Sequence, residues 1–238
     1  MYLNHQFLDI LDSDNLKLFN LKSLLYLMLM LLFRLKNYFV MLHTFKKGIR
    51  ALGIAESFTR NISSKSVLAG VVMRGDFLVD GFSFSYVTIG GLDATDAILN
   101  LYKKLKRRDI SVLFINGCII SWYNVIDLNR IYSEIKIPLV SLTYKESLGL
   151  DENFRNIFPQ DYDKRIEIYR RNGDRERIKL NTGYDVFVRY LGMGKLTCRQ
   201  ILNRFTISGK IPEPIKAARI LAKSINIFLT NEAYYKNL

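Results

Sequence analysis

With 238 residues, 49% of them hydrophobic and 24% charged, the chain is long enough to bury a sizeable core and too apolar to be disordered throughout. Lys and Arg number 35 against 22 Asp and Glu, and the resulting net charge of +13 favours a polyanionic partner, nucleic acid first, without specifying any activity. Cys118 and Cys198 lie far apart with no metal-ligand spacing and read as reduced thiols of an intracellular, cytoplasmic protein; with His5 and His43 the only histidines, histidine catalysis and His-rich zinc sites are disfavoured.

Residues 1–40 differ in character from the rest of the chain. The run Leu24 to Phe33 is uninterrupted and apolar between Lys22 and Arg34, but it falls short of the roughly 20 residues that span a bilayer. No small-residue cleavage site follows it, which argues against a signal peptide. The expected organisation is an N-terminal extension over 1–40, with Met41 as the true start, and a single domain over 41–238. A membrane-associating helix at Leu24 to Phe33 is the alternative.

From Ala51 to Glu56 the chain reads as a first strand, and Val67 to Arg74 as a second. Gly75-Asp76 marks a hairpin turn, and Phe77 to Val79 with Phe82 to Ile89 continue as further strand, rich in aromatic and β-branched residues. Gly90-Gly91 ends it. Asp93 stands where an N-cap belongs, before a helix whose apolar positions Ala97, Ile98, Leu101 and Leu105 recur at helical spacing. Ile110 to Ile115 is a fully apolar strand, followed by a helix from about Asn124 to Ile135 and a strand from Ile137 to Leu142; that alternation predicts parallel βαβ packing. Short helices follow at Asp151 to Phe158 and Tyr162 to Arg170. A turn at Asn172-Gly173-Asp174 leads to strands around Ile178 and at Asp185 to Leu191. Thr197 is expected to cap a helix over Cys198 to Phe205, and Pro212-Glu213-Pro214 to start a last helix reaching about Ile225. Gly192-Met193-Gly194-Lys195 is too short for a phosphate loop.

Three antiparallel strands, then helix, strand, helix, strand, is the order of an α/β ribonuclease H-like fold, a mixed sheet with helices on both faces. By analogy, nucleases of that class collect carboxylates from the first strand, from the start of the helix after the meander and from the end of the fourth strand. Those places hold Glu56, Asp93 and Asn116.

Longer blocks point the same way: Lys46-Lys47-Gly48-Ile49-Arg50-Ala51-Leu52-Gly53-Ile54-Ala55-Glu56-Ser57-Phe58, Thr88-Ile89-Gly90-Gly91-Leu92-Asp93-Ala94-Thr95, the segment Asn116 to Asp127, and Gly209-Lys210-Ile211-Pro212-Glu213-Pro214-Ile215. Together they resemble the mostly archaeal endonuclease dU family, from about Met41 to the final helix. The resemblance implies a fold similar to endonuclease V and a Mg²⁺- or Mn²⁺-dependent DNA endonuclease of repair acting near deoxyuridine, on damaged or single-stranded DNA. Many members of that family carry a pair of aspartates where Ala55 and Glu56 stand.

On this reading Glu56, Asp93 and Asp127 are the catalytic acids, and Glu56, Asp93 and Asn116 the metal ligands, since Mg²⁺ takes one or two carboxylates and keeps several waters. Each has a plainer reading. Glu56 would be a strand-end acid paired with Arg50, Asp93 a helix cap, and Asp127 a helix-surface acid or partner of Arg130. Asp96 reads as a first-turn acid favoured by the helix dipole. Trp122 and Tyr123 would either stack on an unpaired base or pack in the core. Lys103, Lys104, Lys106, Arg107 and Arg108 form one basic cluster, and Lys164, Arg165, Arg170, Arg171, Arg175, Arg177 and Lys179 a second. They are expected to contact phosphates around the cation site, or else to be solvated surface. A non-catalytic nucleic-acid-binding protein on the same fold is the competing function.

Overall fold

The computed structural model describes residues 23–32, 48–59, 63–146 and 150–236. The chain divides into two units, Met1–Leu42 and His43–Leu238. In the first, residues 23–32 form helix α1, whose leucines and methionines are exposed. Among the described residues no helix is long and apolar enough to cross a membrane.

The second unit is built on a seven-stranded sheet in the order β3-β2-β1-β4-β7-β9-β8. β1 (Arg50–Ser57), β2 (Lys65–Arg74) and β3 (Val79–Thr88) form the antiparallel meander. β4 (Val112–Ile115) and β7 (Leu139–Thr143) extend the sheet in parallel from β1, and β9 (Asp185–Leu191) and β8 (Glu176–Lys179) close it antiparallel. The helices are α2 (Ala94–Leu105), α3 (Leu128–Ile135), α4 (Asp151–Ile157), α5 (Tyr162–Arg171), α6 (Lys195–Arg204) and α7 (Glu213–Lys236). A two-stranded ribbon, β5 (Ile119–Ile120) with β6 (Asn124–Val125), stands apart from the main sheet.

Alternation along the central strands sets the two faces, because successive side chains of a strand point to opposite sides. Leu52, Ile54, Leu68, Val72, Leu113 and Ile115 pack into one core with Ile98 and Leu101 of α2 and Ile131 of α3. Ala51, Val112, Phe114 and Val140 pack into the other with Ile201 and Leu202 of α6, Phe205 just beyond it and Ile215 of α7. α7 also covers Ala55, Val67, Ala69 and Val71 through Ala218 and Ala222. Helices thus lie on both faces, as the order of elements predicts. The small residues of β1 let α7 come close: a Cβ on Gly53 would lie 2.2 Å from the Pro214 carbonyl carbon.

Several elements depart from the sequence expectation. The two pieces expected between Phe77 and Ile89 are one strand, with Phe77 at φ 67° in the turn before it. The helix expected from Asn124 begins at Leu128, because residues 119–125 turn back as the β5–β6 ribbon. Thr197 does not cap α6; that helix starts three residues earlier, at Lys195 after Gly194, and Thr197 is buried inside it. α7 runs on to Lys236, past the expected end near Ile225.

Candidate functional site

Strands β1, β4 and β7 run parallel, so their carboxyl ends share one edge, the edge where ligands bind in open α/β sheets. Glu56, Asn116 and Thr143 all sit there, and the β5–β6 ribbon follows from β4 beside them.

The side chain of Glu56 accepts a hydrogen bond from Ser66 Oγ at 2.8 Å. Burial pushes its carboxyl above the ordinary value of 4.5, against the lowering effect of the bonds from Ser66 and the Ser121 backbone N–H. The expected pairing with Arg50 does not occur. Arg50 begins β1 at the far end of the strand and is held by Asp80 and Asp109.

Asp93 precedes α2 but its side chain does not cap it. It turns back to Thr88, accepting from the backbone N–H at 3.1 Å and from Oγ1 at 2.6 Å, and it takes a third bond from Asn124 Nδ2 at 2.7 Å. Burial opposes its charge, yet these donors outweigh it and hold the carboxyl below its usual range. The first N–H of α2, on Ala94, goes instead to Asn124 Oδ1 at 3.1 Å. Gly91 is required here: a Cβ on it would meet Thr88 Cβ at 2.7 Å and Asp93 Oδ1 at 3.0 Å.

Asp127 is the N-cap of α3, with Oδ1 accepting from Arg130 N at 3.0 Å and Oδ2 from Arg171 Nη2 at 2.7 Å. It is nearly buried, and these donors satisfy it. Asp127 is therefore a cap and ion-pair partner, and it is not drawn to Glu56 or Asp93.

Asn116 is on the other side of the sheet from Glu56. Phe114, two residues earlier, packs in the α6–α7 core, and Asn116 Oδ1 accepts from Arg219 Nη2 of α7 at 2.7 Å. Arg219 also lies over the Tyr144 ring at 5.2 Å, and burial pushes the Tyr144 phenol up to about 12. Positions 55 and 56, being adjacent, point to opposite faces. Ala55 packs against Ala218 on the side of Asn116 and Arg219, and so that side receives no carboxylate from β1.

The expected ligand set does not assemble. Among the described residues no three His, Cys, Asp or Glu side chains group as a metal site. Glu56 and Asp93 both buttress the β5–β6 ribbon, through Ser121 and Asn124, while Asp127 and Asn116 are held elsewhere. A Mg²⁺ or Mn²⁺ ion at the Asn116 oxygen would face the Arg219 guanidinium directly, an unfavourable pairing of like charges. With its third member, Asn116, taken by Arg219, the expected set of Glu56, Asp93 and Asn116 does not fit a carboxylate-held divalent ion.

The ribbon itself is strained. Ser121, Trp122 and Tyr123 take φ of 45°, 56° and 66° in succession, a left-handed region that non-glycine residues rarely occupy. Trp122 is 40% exposed at the tip, edge-on to Phe158 with ring centres 5.5 Å apart. Tyr123 is packed against Phe154 and Phe158, and its hydroxyl accepts from Asn153. Of the two aromatics, Trp122 is the more exposed. Arg165, which the sequence groups with the surface cations, is 1% exposed and holds this region together. It donates to the carbonyls of Gly90, Gly91 and Tyr123 at 2.6–2.9 Å and pairs with both oxygens of Asp161.

The basic clusters are largely committed as well. Arg107 binds Asp80 and Asp109, joining Arg50 in a network at the amino end of β1 and β4, the opposite edge from Glu56 and Asn116. Lys104 reaches the Phe84 carbonyl, while Lys103 and Arg108 are exposed near the same edge. Arg170 pairs with Asp151 and Arg171 with Asp127. The expected basic groove around one cation site is thus split between two edges, because α2 carries its last-turn lysines away from the carboxyl ends of the strands. Sequence reasoning missed Arg219, Arg189 and Asn124; each acts through a partner distant in sequence, and only the block from Asn116 to Asp127 hinted at Asn124.

A mixed sheet of this order, with helices on both faces, defines a ribonuclease H-like domain of the endonuclease V type. The endonuclease dU family profile matches residues 47–226, and the chain belongs to that family. It is 34% identical to a UPF0215 protein of Pyrobaculum aerophilum over 75% of this chain and 95% of that one, and 33% identical to a UPF0215 protein of Methanosarcina barkeri over 76% and 92%. Among solved structures it is similar to a protein of unknown function from Archaeoglobus fulgidus, at 27% identity and TM-score 0.64 over 74% of this chain and 98% of that one. It also shares its fold with Ciona intestinalis endonuclease V, solved with a 24mer DNA containing an inosine followed by a ribo-adenosine, at 13% identity and TM-score 0.54 over 78% and 88%.

Proposed function

We propose that this chain is a DNA-binding member of the endonuclease dU family that engages nucleic acid at the carboxyl edge of its sheet without a carboxylate-held metal ion. The observation that carries this is the Asn116–Arg219 bond at 2.7 Å on the face where Ala55 supplies no acid. The net charge of +13 supplies the electrostatic attraction. Exposed Trp122, on a strained turn, offers a stacking surface for an unpaired base. The test is to incubate the protein with labelled uracil-containing and undamaged DNA in Mg²⁺, in Mn²⁺ and in EDTA. Binding that EDTA leaves unchanged, with no nicking, is the expected result.

Metal-dependent nicking would instead establish the second reading, a Mg²⁺- or Mn²⁺-dependent repair endonuclease hydrolysing a phosphodiester near deoxyuridine. That reading is favoured by one feature, the approach of both Glu56 and Asp93 to the β5–β6 ribbon. Glu56→Gln separates the two. Under the second reading it abolishes nicking and keeps binding; under the first there is no nicking to lose.

A further inference from the structure

Arg189, on β9, is 8% exposed and carries its charge without a counter-ion among the described residues. Its Nε donates to the Gly173 carbonyl at 2.6 Å and its Nη1 to Cys118 Sγ at 3.3 Å, and its guanidinium lies 5.0 Å over the Tyr169 ring. All three partners are uncharged. Burial pushes the Cys118 thiol up, so the sulfur supplies no negative charge either. A buried cation is normally paired, and one held only by neutral acceptors is incomplete.

The same arginine lines a cavity of about 520 Å³ at the carboxyl ends of β4 and β7. Arg175 and Lys145 also line it, with Arg175 fixed by bonds to Thr143 Oγ1 at 3.1 Å and the Lys145 carbonyl at 3.2 Å. Among the described residues no Asp or Glu is on its wall. The rest of the lining is neutral and mostly apolar, including Ile119, Leu142, Leu150 and Tyr169. The acids nearby, Glu146, Asp151 and Asp174, line a neighbouring cavity that Arg189 and Arg175 also border, and Asp151 is already paired with Arg170. Arg189 without a counter-ion, no carboxylate among the described wall residues and an aromatic wall describe a site for an anion that carries a flat or apolar body. The volume is that of a small-molecule site and exceeds what a lone oxyanion needs.

We infer that this cavity binds a nucleoside phosphate, its phosphate neutralising Arg189, with Arg175 and Lys145 on the same wall, and its nucleoside lying against Tyr169 and the aliphatic wall. Arginine is suited to the role because its planar donors match phosphate oxygens two at a time. Two sources share this chemistry, a free mononucleotide and the phosphorylated end of a strand. For the strand end the inference rests on the DNA-binding reading, since the cavity opens at the same edge and includes Asn116; for a free nucleotide it needs no duplex contact.

The experiment is calorimetric titration of the full chain with 2′-deoxyuridine 5′-monophosphate, adenosine 5′-monophosphate, 2′-deoxyuridine, inorganic phosphate, and a short oligonucleotide bearing either a 5′-phosphate or a 5′-hydroxyl. The expected result is saturable binding of a nucleoside monophosphate or of the 5′-phosphorylated oligonucleotide, at least tenfold tighter than the unphosphorylated counterpart and than inorganic phosphate. The tighter of the two identifies the source. Arg189→Met is expected to weaken that binding tenfold or more while the exposed Lys223→Ala leaves it unchanged; if Arg189→Met does not fold, Arg175→Gln takes its place with the same expectation. Absence of saturable binding by the wild type, equal affinity with and without the phosphate, equal affinity for inorganic phosphate, or indifference to the arginine variant would each overturn the inference. Oligonucleotide binding that ignores the 5′-phosphate but occurs in EDTA leaves the DNA-binding reading standing while this one fails.

Discussion

Two arginines among the described residues are buried, and they differ in what surrounds them. Arg165 is enclosed by a complete set of acceptors: both oxygens of Asp161, the carbonyls of Gly90, Gly91 and Tyr123, and the Phe158 face 3.8 Å from the guanidinium carbon. Arg189 has a carbonyl, a thiol and a ring, and no acid among the described residues. The first environment is self-sufficient, and the arginine acts as a clamp joining α5, the Gly90-Gly91 loop and the β5–β6 ribbon. The second is complete only when an anion enters the cavity beside it. Burial alone therefore does not distinguish a structural cation from a binding one; the balance of charge around it does.

The largest expected effect is at the self-sufficient site. Arg165→Ala leaves Asp161 and three carbonyls without their donor, and it should cost about 3–5 kcal/mol in urea unfolding, the usual penalty for breaking a buried charged pair. A loss below about 1 kcal/mol would show that the clamp is ornamental. Asp161→Asn is the sharper probe, because it turns Arg165 into a copy of Arg189 while keeping the shape of the site. A loss of about 1.5–3 kcal/mol is expected, in the range of a charged hydrogen bond, and an unchanged midpoint would erase the contrast between the two arginines.

The acids at the ribbon give a third and smaller effect, with opposite signs. Burial raises the folded-state pKa of Glu56 above its unfolded value, so its contribution is fully present below about pH 4.5 and is lost as pH rises through the raised value. Asp93 has the reverse sign: its folded pKa is lowered, so its contribution is present above about pH 3.8 and is lost as pH falls through the depressed value. Unfolding followed over a pH series should therefore show Glu56→Gln removing a decline in stability on the alkaline side of pH 4.5, and Asp93→Asn removing an acid-side loss. A Glu56→Gln profile that overlays the wild type would place that carboxyl in water. Arg189→Met should change stability least, by no more than about 1 kcal/mol in either direction, because exchanging an uncompensated buried charge for an apolar side chain of similar length is close to neutral. A larger loss would mean that Arg189, like Arg165, is a clamp.

The succession of the central strands along the chain was legible because each carries its own signal. Ala51 to Glu56, Val67 to Arg74 and Ile110 to Ile115 are apolar runs with turn residues at their ends, and local pattern is enough to place them. The β5–β6 ribbon was not legible. Its strands are two residues each, and its turn is made by Ser121, Trp122 and Tyr123 at positive φ, where nothing in their type announces a left-handed turn. The candidate site was half legible. Glu56, Asp93 and Asn116 do lie near the same edge or its loops, but whether they converge depends on which face each addresses and on donors far along the chain. Arg219 reaches Asn116 from α7, and Asn124 reaches both Asp93 and the first N–H of α2. Those partners are fixed only by the tertiary fold. The arginines carry the same lesson, since Asp161 is one helical turn from Arg165 and could be read, whereas the carbonyls it also binds lie on loops far away in sequence.

The seat of α7 on Gly53 has a consequence for how the chain is made. β1 is among the first elements of its unit to leave the ribosome and α7 comes after all the other strands and helices, yet the backbone of Pro214 and Ile215 rests directly on the bare strand at Gly53 and α7 covers Ala55, Val67, Ala69 and Val71. During synthesis the meander can pair, but one side of it stays uncovered until α7 has been made. That long-range closure makes folding slow relative to the local strands and leaves an apolar sheet surface open to wrong partners in the interval. A nascent chain released before Glu213 would lack the cover that α7 gives this side of the sheet.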